Sequence, residues 1–296
     1  MKFPILALLA AAALTAGSCT KRPVRPQFTV VSTDSLISGN GFSCDFEYRF
    51  ASIANAQNSP ALAAIERMNI DRFFDLENFE GTPEEAASAA IRQVTSDMTP
   101  PGNTPESTVR PAWEGEISVE SEGSVVDTLL CYVITRASYT GGAHGIYGTE
   151  CYNYSLAGGY EITTADLFTE TQLERLNRLI REDIYEQYGV RSDEELETKG
   201  FFPEYIGVTE NFLVTPEGIT FYYNPYDIGC YALGSVEVSV SREQLAGLCR
   251  SPARKEKKKG PSLTTRTFFF GGEPPPPKMR FNRRYSTAER VPPLWS

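Results

Sequence analysis

Residues 42–50, Phe-Ser-Cys-Asp-Phe-Glu-Tyr-Arg-Phe, alternate apolar and polar side chains without a break. Side chains along a strand point to opposite faces in turn, so Phe42, Cys44, Phe46, Tyr48 and Phe50 share one face and must be covered by something apolar. This stretch constrains the fold most: it demands a sheet with one buried side. Two helices follow that are able to cover it. Residues 58–74 open with Ser59 and Pro60 and carry Leu62, Ile65, Met68 and Phe73 at helical spacing; residues 82–98 open with a Thr82/Glu85 capping box and Pro83.

A Pro/Gly/Thr-rich loop ends the second helix, and strands then dominate. Residues 113–123 and 124–139 read as an antiparallel pair turning at Glu122–Ser124, and 146–156 as a further strand. A helix over 171–189 buries Leu173, Leu176, Ile180 and Ile184 and stops at Gly189; a hairpin over 211–215 and 219–223, a strand over 235–241 and a short closing helix complete the pattern. Hairpins outnumber βαβ units, which predicts an α+β fold, antiparallel sheets with helices packed on one face. The expected organisation is a segment 1–19, an N-terminal domain over 20–105, a C-terminal domain over 106–250, and a tail over 251–296.

The two ends differ from this body. Lys2, the apolar run 5–16 and Ala-Gly-Ser before Cys19 resemble a bacterial lipoprotein signal, which predicts cleavage before Cys19, its lipidation, and an extracytoplasmic chain anchored without a spanning helix, facing the periplasm. An ordinary secretory signal is the simpler alternative. Residues 251–296 hold eleven Lys/Arg against three Glu, a net of +8, so residues 1–250 carry −18 of the chain's −10. The tail is read as an unstructured appendage, such as a frameshifted gene end would produce, rather than a basic arm. The acidic body excludes nucleic-acid binding, is expected to be monomeric, and suits basic partners.

Chemistry is sparse. Cys19 aside, Cys44, Cys131, Cys151, Cys230 and Cys249 show no metal spacing, and the chain has one histidine, so neither a metal nor another cofactor is expected. There is no Gly-x-Ser-x-Gly elbow, Walker loop or dinucleotide fingerprint. Paired carboxylates are not singled out, which leaves a carbohydrate-active enzyme as the alternative to a non-enzymatic binding module. In an oxidising compartment a hairpin centred on Gly141 would set Cys131 opposite Cys151, at bridging distance if the register holds.

The single histidine lies in Tyr139-Thr-Gly-Gly-Ala-His-Gly145. A catalytic or metal role lacks visible partners. The glycines favour a tight strand connection that His144 orders by hydrogen bonds, and His144→Ala is expected to cost about 1–3 kcal/mol if its partner is buried. With Gly158–Phe168 and the run 212–245, this loop resembles the family of domains of unknown function DUF3298; residues 42–98 more loosely resemble DUF4163. Proteins that pair the two include the extracellular region of the anti-sigma factor RsiV, which binds lysozyme, and non-catalytic regions of peptidoglycan deacetylases such as PdaC. The resemblance implies a cell-envelope binding module for a lysozyme-like basic protein or a peptidoglycan-type glycan; it implies neither regulatory proteolysis nor deacetylation. Its expected contact residues are Tyr139, Gly141, Gly142 and His144 with Tyr222, Tyr223, Asn224, Pro225, Tyr226 and Asp227, since aromatics packed densely near a turn suit protein or sugar contact; the alternative is that Tyr222 and Tyr226 belong to the core, as about half of alternating strand residues do.

Overall fold

The computed structural model describes residues 22–39, 42–98 and 113–248. Cys19, the signal-like segment, the 105 boundary, Cys249 and the tail lie outside the described residues. The elements run β1 (Phe28–Gly39), β2 (Phe42–Ile53), α1 (Pro60–Phe74), α2 (Pro83–Met98), β3 (Trp113–Val126), β4 (Leu129–Tyr139), β5 (Ile146–Ser155), α3 (Thr164–Leu167), α4 (Glu170–Tyr188), α5 (Asp193–Thr198), β6 (Phe212–Val214), β7 (Gly218–Tyr223), β8 (Val236–Ser241) and α6 (Arg242–Leu248). The architecture is α+β, with a five-stranded sheet β1-β2-β3-β4-β5 and a three-stranded sheet β6-β7-β8. All pairs are antiparallel except β2–β3. That exception follows from the chain: α1 and α2 lie between the two strands, and a crossover through helices returns a strand parallel to its neighbour.

The alternating stretch behaves as its pattern requires. Cys44, Phe46, Tyr48 and Phe50 are buried, covered by Leu62, Ile65, Phe73 and Phe74 of α1 and by Ala86, Ala87, Ala90 and Ile91 of α2. The alanines let α2 approach closely, and each buried large side chain contributes about 1.5–3 kcal/mol. Phe50, Phe73 and Phe74 meet at ring distances of 4.7–5.5 Å, mostly edge to face. The capping box at α2 forms, with the Thr82 N–H on Glu85 Oε2 at 2.8 Å and the Glu85 N–H on Thr82 Oγ1 at 3.3 Å. Two arginines fasten α1 to the sheet. Arg136 of β4 donates to the carbonyls of Arg72 and Phe73 at the end of α1 and pairs with Glu150 at 3.0 Å; the Arg72 guanidinium lies 4.0 Å over the Tyr152 ring and pairs with Glu161 at 2.6 Å.

Three features differ from the sequence reading. The strand β1 carried no prediction. The β3–β4 turn falls at Asp127–Thr128, with Asp127 at φ 53°, rather than at Glu122–Ser124. Gly123 is extended and paired with Tyr132, and the Phe28 ring occupies the space where its Cβ would stand, so this glycine marks a close approach and not a turn. Finally, Cys131 faces Asn153 and Cys151 faces Val133. The hairpin centre lies one residue beyond Gly141, which moves the cysteines out of opposition by two residues, and both thiols are free and buried. Burial raises the Cys131 thiol to about 12 and Cys44 to about 11, so both stay protonated.

Residues from both expected domains form the one five-stranded sheet. Its two faces serve two separate clusters: one lies with α1 and α2, and the other joins Leu129 and Cys131 of β4 to the β6-β7-β8 sheet and to Leu176, Ile180 and Ile184 of α4. The second sheet is not hydrogen-bonded strand to strand with the first. Asparagine side chains bridge them. Asn153, 1% exposed, donates to the Phe212 carbonyl at 2.7 Å and accepts from the Val214 N–H at 3.0 Å. Asn211 accepts from the Cys151 N–H and donates to the carbonyls of Thr149 and Tyr222; Asn224 accepts from the Thr149 N–H and donates to its carbonyl.

Two predictions follow from this packing. Asn153→Ala leaves a buried backbone N–H and carbonyl of β6 unpaired and should cost about 2–4 kcal/mol in urea unfolding, from the desolvation of the orphaned groups. Glu66 is the second. It accepts from the Ser52 hydroxyl at 2.6 Å and the Ile53 N–H at 2.9 Å, yet burial outweighs both and raises its carboxyl above the ordinary 4.5. The folded state therefore holds this proton more tightly than the unfolded chain. Its stabilising effect is complete below the ordinary value and falls as pH rises through the raised one. Urea midpoints measured from pH 4 to 8 should show Glu66→Gln gaining on the wild type as pH rises.

Candidate functional site

The loop after β4 is held by its own carbonyls. Gly141 and Gly142 sit at φ 95° and 106° with open space around them, so backbone conformation and not crowding requires glycine there. Gly145 is required by closeness: a Cβ on it would stand 2.8 Å from the Ser138 carbonyl oxygen. The Tyr139 hydroxyl donates to the Gly142 carbonyl at 3.1 Å. His144 is exposed, and its Nδ1 lies 2.9 Å from the Gly145 carbonyl oxygen. Its ring stacks on Tyr231 at 4.0 Å and 22°. The Tyr231 hydroxyl donates to that same Gly145 carbonyl at 2.8 Å.

Tyr231 is the residue that the sequence reading missed, and it joins the two predicted motifs. It lies in a short 3-10 turn after the 224–227 turn, and Tyr226 and Tyr147 flank it at ring distances of 5.7 and 5.9 Å. Its only sequence signal was an aromatic within the run 212–245. Asn224, the first residue of the predicted turn, holds the β5 edge through Thr149 and receives the Asp227 N–H at 3.0 Å; the Asp227 carboxylate accepts the Asn224 N–H at 2.7 Å. Asp227 is exposed at the surface, yet its carboxyl is pushed up, chiefly by desolvation and against that N–H. Tyr226 adopts φ 76° and projects with 49% exposure.

The predicted set therefore divides. Tyr139, Gly141, Gly142, His144, Tyr226 and Asp227 lie on an exposed rim, with Asn224 and Pro225 half-buried beneath it. Tyr223 does not: it is 2% exposed in the second core, and its hydroxyl donates to the Gly207 carbonyl at 2.6 Å. Tyr222, next to it on β7, is half-buried. Beside the loop a shallow depression of about 210 Å³ is lined by Glu116, Tyr139, Ile146, Tyr147 and Tyr231 among others. Glu116 faces Tyr139 across the β3–β4 ladder. It belongs to a row of exposed carboxylates, Glu114, Glu116, Glu120 and Glu122, on the face of β3 opposite the helices, beside Asp45 and Glu47 of β2. Among the described residues no group of three or more His, Cys, Asp or Glu is placed to hold a metal, and no helix is long and apolar enough to cross a membrane.

Comparison with known proteins bears on the segment that carries the 224–227 turn and Tyr231. Residues 165–243 match the family described as protein of unknown function DUF3298. These residues carry a DUF3298 domain. The matched region runs from α3 into α6 and includes the 224–227 turn and Tyr231, while the Tyr139–Gly145 loop precedes it. A crystal structure of a DUF3298 family member from Bacteroides fragilis is similar at 24% identity and TM-score 0.62, over 76% of this chain and 94% of that one. A DUF3298 family protein from Pseudomonas aeruginosa is similar at 16% identity and TM-score 0.52, again over 76% and 94%. At these identities the likeness concerns the fold alone. No curated protein matches the chain.

The stack makes a specific expectation. His144 bonds an exposed loop carbonyl rather than a buried partner, so His144→Ala should cost less than about 1 kcal/mol, below the buried-partner range. Tyr231→Ala removes the stack, the hydroxyl bond and the link to Tyr226 together. Amide hydrogen exchange over residues 140–145 should quicken strongly in Tyr231→Ala and only slightly in His144→Ala.

Proposed function

We propose that the protein is a binding module of the cell envelope, held outside the cytoplasm by lipid on Cys19, and that it acts by recognition rather than catalysis. The observation that carries this reading is the exposed aromatic rim of Tyr139, Tyr147 and Tyr226 around the half-buried Tyr231, beside an acidic sheet face. Tyrosine gives large contact area at low entropic cost with a polar tip, and such residues concentrate binding energy at interfaces. Carboxylates next to them attract positive charge and speed encounter. A lysozyme-like basic protein fits both properties. The shallow depression, with tyrosine rings and the Glu116 carboxylate as acceptor, gives a glycan of the peptidoglycan type as the second reading. The fastening of the rim to β5 through Asn224 supports it as a preformed surface.

Titration calorimetry of the full chain with lysozyme, and separately with soluble muropeptides, tests this. Saturable binding of either ligand that weakens about tenfold or more in a Tyr139→Ala/Tyr147→Ala variant is expected from loss of aromatic anchors. Lysozyme binding should also weaken with added salt, whereas muropeptide binding should not. Binding of neither, or binding indifferent to the double substitution, overturns the assignment of the rim. Mass spectrometry of the mature protein should find acylated Cys19 at its N-terminus.

A further inference from the structure

The two edges of the five-stranded sheet are treated differently. The β5 edge is filled: Asn211 and Asn224 take the backbone groups of Thr149 and Cys151, the Ser155 N–H donates to the Tyr160 carbonyl at 2.9 Å, and the Ile162 N–H donates to the Asn153 carbonyl at 2.7 Å. The β1 edge is not. β1 pairs with β2 on one side in an unbroken register from Phe28–Ile53 to Gly39–Phe42, and among the described residues nothing pairs with its other side. In a strand every second residue turns its N–H and carbonyl outward, so a twelve-residue ladder of donors and acceptors stands open. Soluble proteins usually blunt such an edge with lysine, proline or a bulge. β1, Phe-Thr-Val-Val-Ser-Thr-Asp-Ser-Leu-Ile-Ser-Gly, has none of these and a single charge, Asp34.

The side chains beside this edge specify an occupant. On the face away from the helices, Val30 and Leu36 stand 63% and 67% exposed. Next to them lie Asp34, Asp45 and Glu47, with Arg49 the one cation of strands β1, β2 and β3, paired to Asp34 at 2.6 Å and Glu47 at 2.9 Å; the carboxylates of β3 continue the same face. We propose that the outer edge of β1 accepts an extended, lysine- or arginine-bearing segment of a partner protein as an added strand. Main-chain hydrogen bonds to β1 hold the segment. Apolar side chains pack on Val30 and Leu36, and basic side chains between them reach Asp34, Asp45 and Glu47. A second copy of this chain fits less well, because edge-to-edge pairing would bring two acidic faces together. The edge is at least three strands away from β4 and β5, which carry the tyrosine loop, and shares with the rim only the acidic face, so the rim variant separates the two sites.

The probe is a fluorescent twelve-residue peptide that carries valine, lysine, lysine and valine at successive every-second positions, so that all four meet the Val30–Leu36 face, with threonine between them, added to the full chain. Anisotropy should show binding, and amide exchange should slow at every second residue of β1. A peptide of the same sequence N-methylated at alternate backbone nitrogens keeps the charge but loses the ladder, and should bind about tenfold or more weakly. A glutamate–valine peptide should not bind, and Asp45→Lys/Glu47→Lys should weaken the lysine peptide, while Tyr139→Ala/Tyr147→Ala should leave it unchanged. Equal binding of the N-methylated peptide, protection away from β1, or no binding at all overturns the proposal. So does a β1 edge already protected in the free protein, whether at every concentration (another segment of the chain fills it) or only at high concentration (a second copy does).

Discussion

The buried amide of Asn153 is the interaction on which the two halves of the structure depend. A sheet of three short strands, one of them only Phe212–Val214, has little to hold it in place unless its edge is satisfied. Direct pairing of β6 with β5 would merge the two sheets and flatten the angle between them. A side-chain amide carries the same donor and acceptor as a peptide group but sits outside the backbone. It can therefore satisfy β6 while letting the second sheet turn away and cover Leu129 and Cys131. Asn211 and Asn224 do the same for the edge of β5. Removing water from these groups makes each bond costly to lose, which turns three ordinary residues into fixed connectors.

The rim inherits its position from this arrangement. Asn224 is at once a connector and the first residue of the turn that presents Tyr226, so the surface tyrosines are set by the same bonds that join the sheets. Tyr231 then closes the gap to the glycine loop. Two hydrogen-bonding groups, its hydroxyl and the His144 ring, converge on the one carbonyl of Gly145. The histidine thus works as a stacking partner on a loop that needs little ordering from it. The acidic face of β3 reaches this rim at Glu116, so charge and aromatic surface form one continuous region.

Much of this was legible in the sequence. Strict alternation fixed which face of β2 is buried, because a strand has period two whatever surrounds it. Pro60 and the Thr82/Glu85 box at the starts of α1 and α2, Gly189 at the end of α4, and the apolar stripes marked these helices within a residue or two, although the Ser59 side chain makes no cap bond. The glycine loop and the 224–227 turn stood out because few residues tolerate their backbone conformations.

What tertiary structure alone decided depends on contacts distant in the chain. Gly123 looked like a turn and is a strand residue paired with Tyr132, and Phe28, far away in sequence, fills the space above it. Cys131 and Cys151 looked like partners and are not, because register is set by where the loop closes, and a shift of one in its centre displaces the pair by two. Tyr223 and Tyr226 are the same residue type three positions apart. One is core and the other rim, since the first ends a strand facing α4's cluster and the second lies past the turn. β1 had no pattern to announce it: with only one side paired and one face half-covered, its side chains alternate between half-buried and exposed, too weak a contrast to read without its partner strand.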